Sequence, residues 1–260
     1  MKAIGFTHSL GIDETQSLFE FDVPDPVANG RDLLVDVKAV SVNPADAKRR
    51  IRTAVDTPHE APLVLGYDAV GVVAAVGSDV TNFAVGDEVW YAGDPTRSGS
   101  NAQRQLVDER VVGRKPKNLS WAEAAAMPLT GLTSFEMLFD RFCITEGSGK
   151  GKSLLVIGGA GGVGSLTIQL ARKLTDLTVI ATASRPETAE WCREMGAHEI
   201  VDHRDLIAEV QGKGFDTVEY IANYADTSQH WDAMATLVAP QGKLGCIVET
   251  DDLIDVPRLQ

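Results

Sequence analysis

Leu154-Leu155-Val156-Ile157-Gly158-Gly159-Ala160-Gly161-Gly162-Val163-Gly164 decides the fold. A short apolar run ends in a glycine-rich turn, and an amphipathic stretch follows. The pattern predicts a buried strand over Ser153–Gly158 and a helix over Ser165–Leu174. Gly159, Gly161 and Gly164 have the G-x-G-x-x-G spacing. Such glycines let the backbone turn tightly and approach a pyrophosphate, while the helix N-terminus presents free N–H groups and a partial positive charge. A glycine-rich turn without a ligand is the alternative reading. The repeated strand–helix units downstream favour a dinucleotide. No Lys-Ser or Lys-Thr pair closes the loop, so it is not a Walker motif.

Downstream the alternation continues. Thr178–Ala183 reads as a strand, Pro186–Met195 as a helix with Pro186 in its first turn, and Glu199–Val201 as a short strand. Asp216–Ile221 and Lys243–Val248 read as strands flanking a helix at Gln229–Leu237. This is the signature of a parallel sheet. The second strand ends Thr182-Ala183-Ser184-Arg185, without the Asp or Glu that would hold a ribose 2′-hydroxyl about 20 residues after the loop. A hydroxyl and a guanidinium suit a 2′-phosphate instead, so the expected cofactor is NADPH. Arg185 as a solvated cation is the competing reading, and Glu187 and Glu190 stand close enough in sequence to pair with it.

Upstream, the texture is mostly β. Leu33–Val40, Ala69–Gly77 and the turn-to-strand segment Gly86–Tyr91 are punctuated by Pro24-Asp25-Pro26, Asn43-Pro44 and Gly77-Ser78-Asp79. Short strands with glycine kinks point to a small, partly closed barrel. Ser120-Trp121-Ala122-Glu123 has the form of a capping box and marks the boundary: residues 1–122 are expected as one domain and 123–260 as the other.

The 260 residues are 44% hydrophobic, enough for a sizeable core, and carry a net charge of −13. Such a surface repels phosphate backbones and anionic lipid, which argues against nucleic-acid and membrane partners. The segment from Leu154 to Ala171 is interrupted by glycines, Ser165, Thr167 and Gln169, so it is not read as a membrane span. Met1–Phe6 lacks a signal-peptide pattern, and a cytoplasmic protein is expected. Cys143, Cys192 and Cys246 are widely spaced and odd in number, which argues against a disulfide framework or a zinc knuckle.

Taken together, the chain resembles the medium-chain dehydrogenase/reductase superfamily, in its quinone oxidoreductase and zinc-type alcohol dehydrogenase-like branch. The resemblance is carried by Ser41-Val42-Asn43-Pro44-Ala45-Asp46-Ala47-Lys48, Leu65-Gly66-Tyr67-Asp68-Ala69-Val70-Gly71-Val72-Val73 and Val85-Gly86-Asp87-Glu88-Val89. Ala124-Ala125-Ala126-Met127-Pro128-Leu129-Thr130-Gly131-Leu132-Thr133-Ser134, the glycine loop and Ala239-Pro240-Gln241-Gly242-Lys243 complete it, in the family's order. It implies an α/β Rossmann domain preceded by a mainly β GroES-like barrel domain, with the active site in the cleft between them. Asn43 and Thr130 match positions at the nicotinamide end. Gly161, Gly162, Val163 and Gly164 match the pyrophosphate loop, and Ser184 and Arg185 the grip on the 2′-phosphate. His203 falls where relatives often have a tyrosine near that phosphate, or it is a surface histidine after a strand.

Metal-dependent relatives carry a cysteine ligand where this chain has Asn43–Asp46, and His-Glu where it has Tyr67-Asp68. The four-cysteine structural lobe has no counterpart in Tyr91–Glu109. No metal is therefore expected, the weaker alternative being a site from Asp46, Asp68 and His59. Without a Lewis acid, alcohol oxidation is hard, whereas hydride addition to a quinone or an α,β-unsaturated carbonyl needs only orientation, water exclusion and a proton or hydrogen bond. Tyr67 is a candidate donor to the developing oxyanion, or a packed aromatic. The leading expectation is an NADPH-dependent, zinc-independent quinone or enone reductase with a small-molecule substrate. The alternatives are a zinc-dependent alcohol dehydrogenase and a cofactor-binding protein with little turnover. The family's chains run on past residue 260, so a sixth strand, the dimer contact and the C-terminal part of the fold are expected to be missing, with Asp251–Gln260 a loop before the next element.

Overall fold

The computed structural model describes residues 1–250 and residue 252. The chain divides into two compact units, Met1–Leu129 and Thr130–Gln260. The expected loop at 251–260 lies, but for Asp252, outside the described residues. Among the described residues no helix is long and apolar enough to cross a membrane.

The first unit contains β1 (Lys2–Phe6), β2 (Phe19–Asp22), β3 (Asp32–Val40), α1 (Pro44–Arg52), β4 (Leu63–Val64), β5 (Asp68–Val76), β6 (Glu88–Ala92), β7 (Arg104–Asp108), β8 (Gly113–Arg114) and α2 (Trp121–Ala125). Strands β7-β3-β5-β6-β8 make an antiparallel sheet, and β2-β1-β4 a smaller one. The β3–β5 register slips between Leu34 and Val35 and again between Val37 and Ala39, the kind of irregularity that bends a sheet toward a barrel. Leu33, Val35, Ala69, Val73, Val89, Tyr91 and Val107 form the core. This is the GroES-like unit expected from the sequence. Ser120 and Glu123 close the capping box at the start of α2, the Ser120 N–H donating to Glu123 Oε2 at 2.8 Å.

One reading is corrected here. Asn43-Pro44, taken as turn punctuation, is the start of α1. Asn43 is its N-cap and Pro44 its first residue, and the Asn43 N–H donates to Asp46 Oδ2 at 2.8 Å. Proline at the first helical position removes an N–H that has no helical partner anyway.

Helix α3 (Pro128–Phe135) leads into the second unit, which holds β9 (Ser153–Ile157), α4 (Gly162–Leu174), β10 (Thr178–Thr182), α5 (Pro186–Met195), β11 (Glu199–Val201), α6 (Leu206–Gly212), β12 (Val218–Asn223), α7 (Thr227–Leu237) and β13 (Val238–Cys246). All pairings are parallel, in the order β11-β10-β9-β12-β13. Numbered within the unit this is 3-2-1-4-5, the Rossmann order through its fifth strand. All five residues of β9 are buried. Leu154 and Val156 face one apolar layer with Ile168 and Ala171, and Leu155 and Ile157 face the other with Met234 and Leu237. Both faces of a parallel strand are covered, which is why its sequence is continuously apolar.

Helix α4 begins at Gly162, three residues earlier than expected, because the last glycines of the loop are already its first turn. Strand β13 starts at Val238, but its regular pairing begins only at Lys243, opposite Tyr220, where the sequence placed the strand. Helix α6 was not foreseen. The crossover between β9 and β12 reverses the strand order, and ligands in such sheets bind beyond the carboxyl ends of the strands at that point.

Candidate functional site

The glycines of the loop divide into two kinds. Gly158 has φ +82°, a left-handed conformation natural to glycine. Gly159 and Gly164 are buried where a side chain has no room: a Cβ at Gly164 would lie 2.2 Å from the Gly158 carbonyl oxygen, and one at Gly159 2.9 Å from the Ala181 Cβ. Gly161 and Gly162 are exposed. Gly161 is the N-cap of α4 with φ −74° and ψ 171°, which any residue adopts, and a Cβ there would approach only the Gly158 oxygen, at 3.3 Å. Packing and backbone conformation thus account for Gly158, Gly159 and Gly164, and leave Gly161 bare toward the space in front of the helix. That is the cradle a pyrophosphate needs, at the positive end of α4.

The loop is tied down on both sides. The Gly158 N–H donates to Thr182 Oγ1 at 2.9 Å, the Tyr224 N–H to the Ile157 oxygen at 3.0 Å, and Ser134 Oγ to the Val163 oxygen at 2.9 Å. Thr130 is buried, accepts at its carbonyl from Ser134 Oγ at 2.8 Å, and has its methyl 3.2 Å from where a Cβ on Gly162 would stand.

A groove of about 300 Å³ opens beside the loop. Gly158 and Gly161, Ser184 and Arg185, Thr188, and His203 and His230 line it. Three of the positions expected for the phosphate end, Ser184, Arg185 and His203, therefore share one groove with the glycine loop. Arg185 is exposed and its Nε lies 3.5 Å from Glu187 Oε1, while Glu190 pairs with Arg193 instead. An exposed pair of that length contributes about 1 kcal/mol at most and yields to a better anion. His203 Nδ1 lies 3.9 Å from Asp202 Oδ1. Asp202 is held by Arg204, whose guanidinium takes its carboxyl down to about 2. His230 and Thr188 were not singled out in the sequence. A histidine inside an amphipathic helix reads as a core residue, and nothing in spacing sets it apart.

In the first unit, Asn43 is buried and its Nδ2 donates to Asp68 Oδ2 at 2.8 Å and to Ser41 Oγ at 3.3 Å. Ser41 Oγ donates to the same oxygen at 2.6 Å, and the Leu129 N–H to Asp68 Oδ1 at 2.8 Å. Burial raises the Asp68 carboxyl, Ser41, Asn43 and Leu129 oppose the rise by hydrogen bonding, and Asp46 adds to it. Tyr67, next to Asp68, is half-buried and its carbonyl accepts from the Gly93 N–H at 2.8 Å. Asp46 and Asp68 both serve Asn43, and among the described residues no group of three or more His, Cys, Asp or Glu side chains is placed to hold a metal ion. The donor set does not fit a zinc ion.

Comparison with known proteins places these features. Residues 29–135 match the family described as alcohol dehydrogenase GroES-like domain, and residues 162–249 the family described as zinc-binding dehydrogenase. A zinc-type alcohol dehydrogenase-like protein of Staphylococcus aureus (strain MSSA476) is 42% identical over 263 residues, covering 100% of this chain and 77% of that protein. A chloroplastic NADPH-dependent alkenal/one oxidoreductase of Arabidopsis thaliana is 39% identical over 210 residues, 78% of this chain and 52% of that protein. A crystal structure from Rhizobium etli CFN 42, described as a candidate zinc-dependent alcohol dehydrogenase, superposes with TM-score 0.93 at 48% identity, over 100% of this chain and 75% of that one. The chain belongs to the medium-chain dehydrogenase/reductase superfamily and is an oxidoreductase of that type.

Proposed function

We propose that this protein is an NADPH-dependent, zinc-independent reductase of quinones or α,β-unsaturated carbonyls. The observation that carries the reading is the groove beside the glycine loop, where Ser184 and Arg185 stand in place of an acid. An acidic residue there would accept from a ribose 2′-hydroxyl and repel a 2′-phosphate. A guanidinium does the reverse. The Arabidopsis relative, by its name, uses NADPH on alkenals and enones, and where metal-dependent relatives carry a cysteine ligand and a His-Glu pair this chain has the loop Asn43–Asp46 and Tyr67-Asp68.

In this reading residues 123–260 are the NADP-binding domain and residues 1–122 the substrate domain. Gly159, Gly161, Gly162, Val163 and Gly164 supply backbone N–H groups and close approach for the pyrophosphate. Ser184, Arg185 and His203 hold the 2′-phosphate. The bound cofactor supplies a hydride. Asn43 and Thr130 orient the nicotinamide end, and Tyr67 donates a hydrogen bond to oxygen on the acceptor. A carbonyl conjugated to a double bond, or a quinone, delocalises the incoming negative charge itself, so one donor suffices without a Lewis acid.

The test is steady-state consumption of NADPH by the purified chain with a panel of para-quinones, ortho-quinones, enones and saturated ketones, and NADP reduction with primary and secondary alcohols. Turnover with quinones or enones and none with alcohols supports the reading. Alcohol oxidation that requires added zinc would replace it with a zinc-dependent dehydrogenase, and cofactor binding without turnover on any acceptor with a non-catalytic binding role.

A further inference from the structure

The groove contains an imidazole on α7 to which the proposed function assigns no role. His230 sits on α7 and is 4% exposed, yet it lines the groove. Its ring meets that of His203 edge to face, centres 5.8 Å apart and planes at 88°. An imidazole lining a groove offers it both a donor and an acceptor. Thr182, Ser184, Arg185 and Thr188 line the same groove, so a chain with net charge −13 gathers one cation, two imidazoles and three hydroxyls in one place. The nearby acids are already engaged: Asp202 with Arg204, and Asp226 with the Gln229 N–H at 3.0 Å and Ser228 Oγ at 2.8 Å.

We propose that His230 is a specificity-determining residue that donates a hydrogen bond to the 2′-phosphate of NADPH, with His203 on the neighbouring side of the same phosphate. This rests on the NADPH reading above. Burial keeps the His230 imidazole below its ordinary value of 6.5, His203 pushes the same way, and Asp226 opposes them. A dianionic phosphate in the groove opposes that lowering and draws a proton onto the ring. The titratable groups placed against it are His203, whose ring meets it, Arg185 in the same groove, and Asp226 at the N-cap of its own helix. Of these, His203 is the second imidazole of the groove.

The experiment measures dissociation constants of NADPH and NADH for wild type, His230→Gln and His203→Gln between pH 6.0 and 8.0, with 2′-AMP, 5′-AMP and inorganic phosphate as competitors. NADPH binding is expected to weaken about tenfold in His230→Gln while NADH changes less than about twofold, following the strength of a hydrogen bond to a charged group. In wild type, NADPH and 2′-AMP should bind more tightly as pH falls, with proton uptake measured by calorimetry in buffers of different ionisation enthalpy. NADH and 5′-AMP should show no such slope. Wild type that prefers NADPH, combined with a variant that keeps that preference and slope, would overturn the role of His230 alone. Wild type without a preference would overturn the NADPH reading itself. If His230→Gln does not fold, wild-type proton uptake and His203→Gln decide: no uptake and an unchanged preference in His203→Gln reject the proposal. Competition by inorganic phosphate as strong as by 2′-AMP would show a general anion site and reject it too.

Discussion

The Gly158 N–H and the Thr182 hydroxyl form a hydrogen bond of 2.9 Å that ties the first residue of the glycine loop to the end of the neighbouring strand. Thr182 is 5% exposed, so the bond is shielded from water. Replacing Thr182 by Val keeps the shape and leaves a backbone donor without its acceptor. Thr182→Val should lose about 1–3 kcal/mol of unfolding free energy in urea titrations. Thr182→Ser should retain most of it. Equal stability of all three would show that the bond does not hold the loop.

The two kinds of glycine separate folding from binding. In Gly164→Ala the new methyl meets backbone at 2.2 Å, and the loop must shift. A loss of about 1–3 kcal/mol or more is expected, read as a lower melting temperature. In Gly161→Ala the backbone needs no glycine, so the melting temperature should change little while NADPH affinity falls. The opposite ranking in melting experiments would contradict the division drawn here.

Much of this was legible in the sequence for a physical reason. A strand buried on both faces must be continuously apolar, and Leu154–Ile157 is. The same rule found β10 to within a residue, whereas β12, placed within two residues, carries Glu219 and Asn223 and was read from the strand–helix alternation. What escaped depends on tertiary context. Helix α6 is seven residues long, too short for its periodicity to stand out, and β4 and β8 have two residues each. Asn43-Pro44 fits a turn and a helix start equally, and the Asp46 carboxylate on the Asn43 N–H decides between them. Ser184 and Arg185 stand out in the sequence because the absence of an acid is visible at a known offset. His230 does not, because only folding brings it into the same groove.

His198 makes stability fall in acid. Its Nδ1 accepts the Val179 N–H at 2.8 Å, and burial first, then Arg172, lowers its value below the ordinary 6.5, against Glu199. A group depressed in the folded state binds fewer protons there than in the unfolded chain. Its contribution is therefore present above about pH 6.5 and lost as pH falls through the folded value. Urea midpoints should drop between pH 6.5 and 5, and His198→Asn, which keeps an acceptor and cannot titrate, should flatten that drop. An unchanged slope in the variant would assign the acid sensitivity to other groups.

Zinc content follows from the donor set. With Asn43 and Tyr67 at ligand positions and Asp46 and Asp68 bonded to Asn43, dialysed protein should carry far less than one zinc per chain by elemental analysis. Quinone or enone turnover should survive chelator. Stoichiometric zinc whose removal abolishes activity would refute this.

In the proposed function the groove beside the glycine loop holds a 2′-phosphate, and the pair of dissociation constants for NADPH and NADH in wild type and Arg185→Ala tests it. Arg185 pairs with the exposed Glu187 at 3.5 Å, a contact weak enough to yield its guanidinium to a phosphate. One such contact is worth about 1.5–3 kcal/mol, or roughly ten- to hundredfold in affinity. Wild type should bind NADPH at least tenfold more tightly than NADH, and Arg185→Ala should remove most of that difference by weakening NADPH alone. Equal affinity of wild type for the two cofactors, or a variant that weakens both alike, would contradict the account.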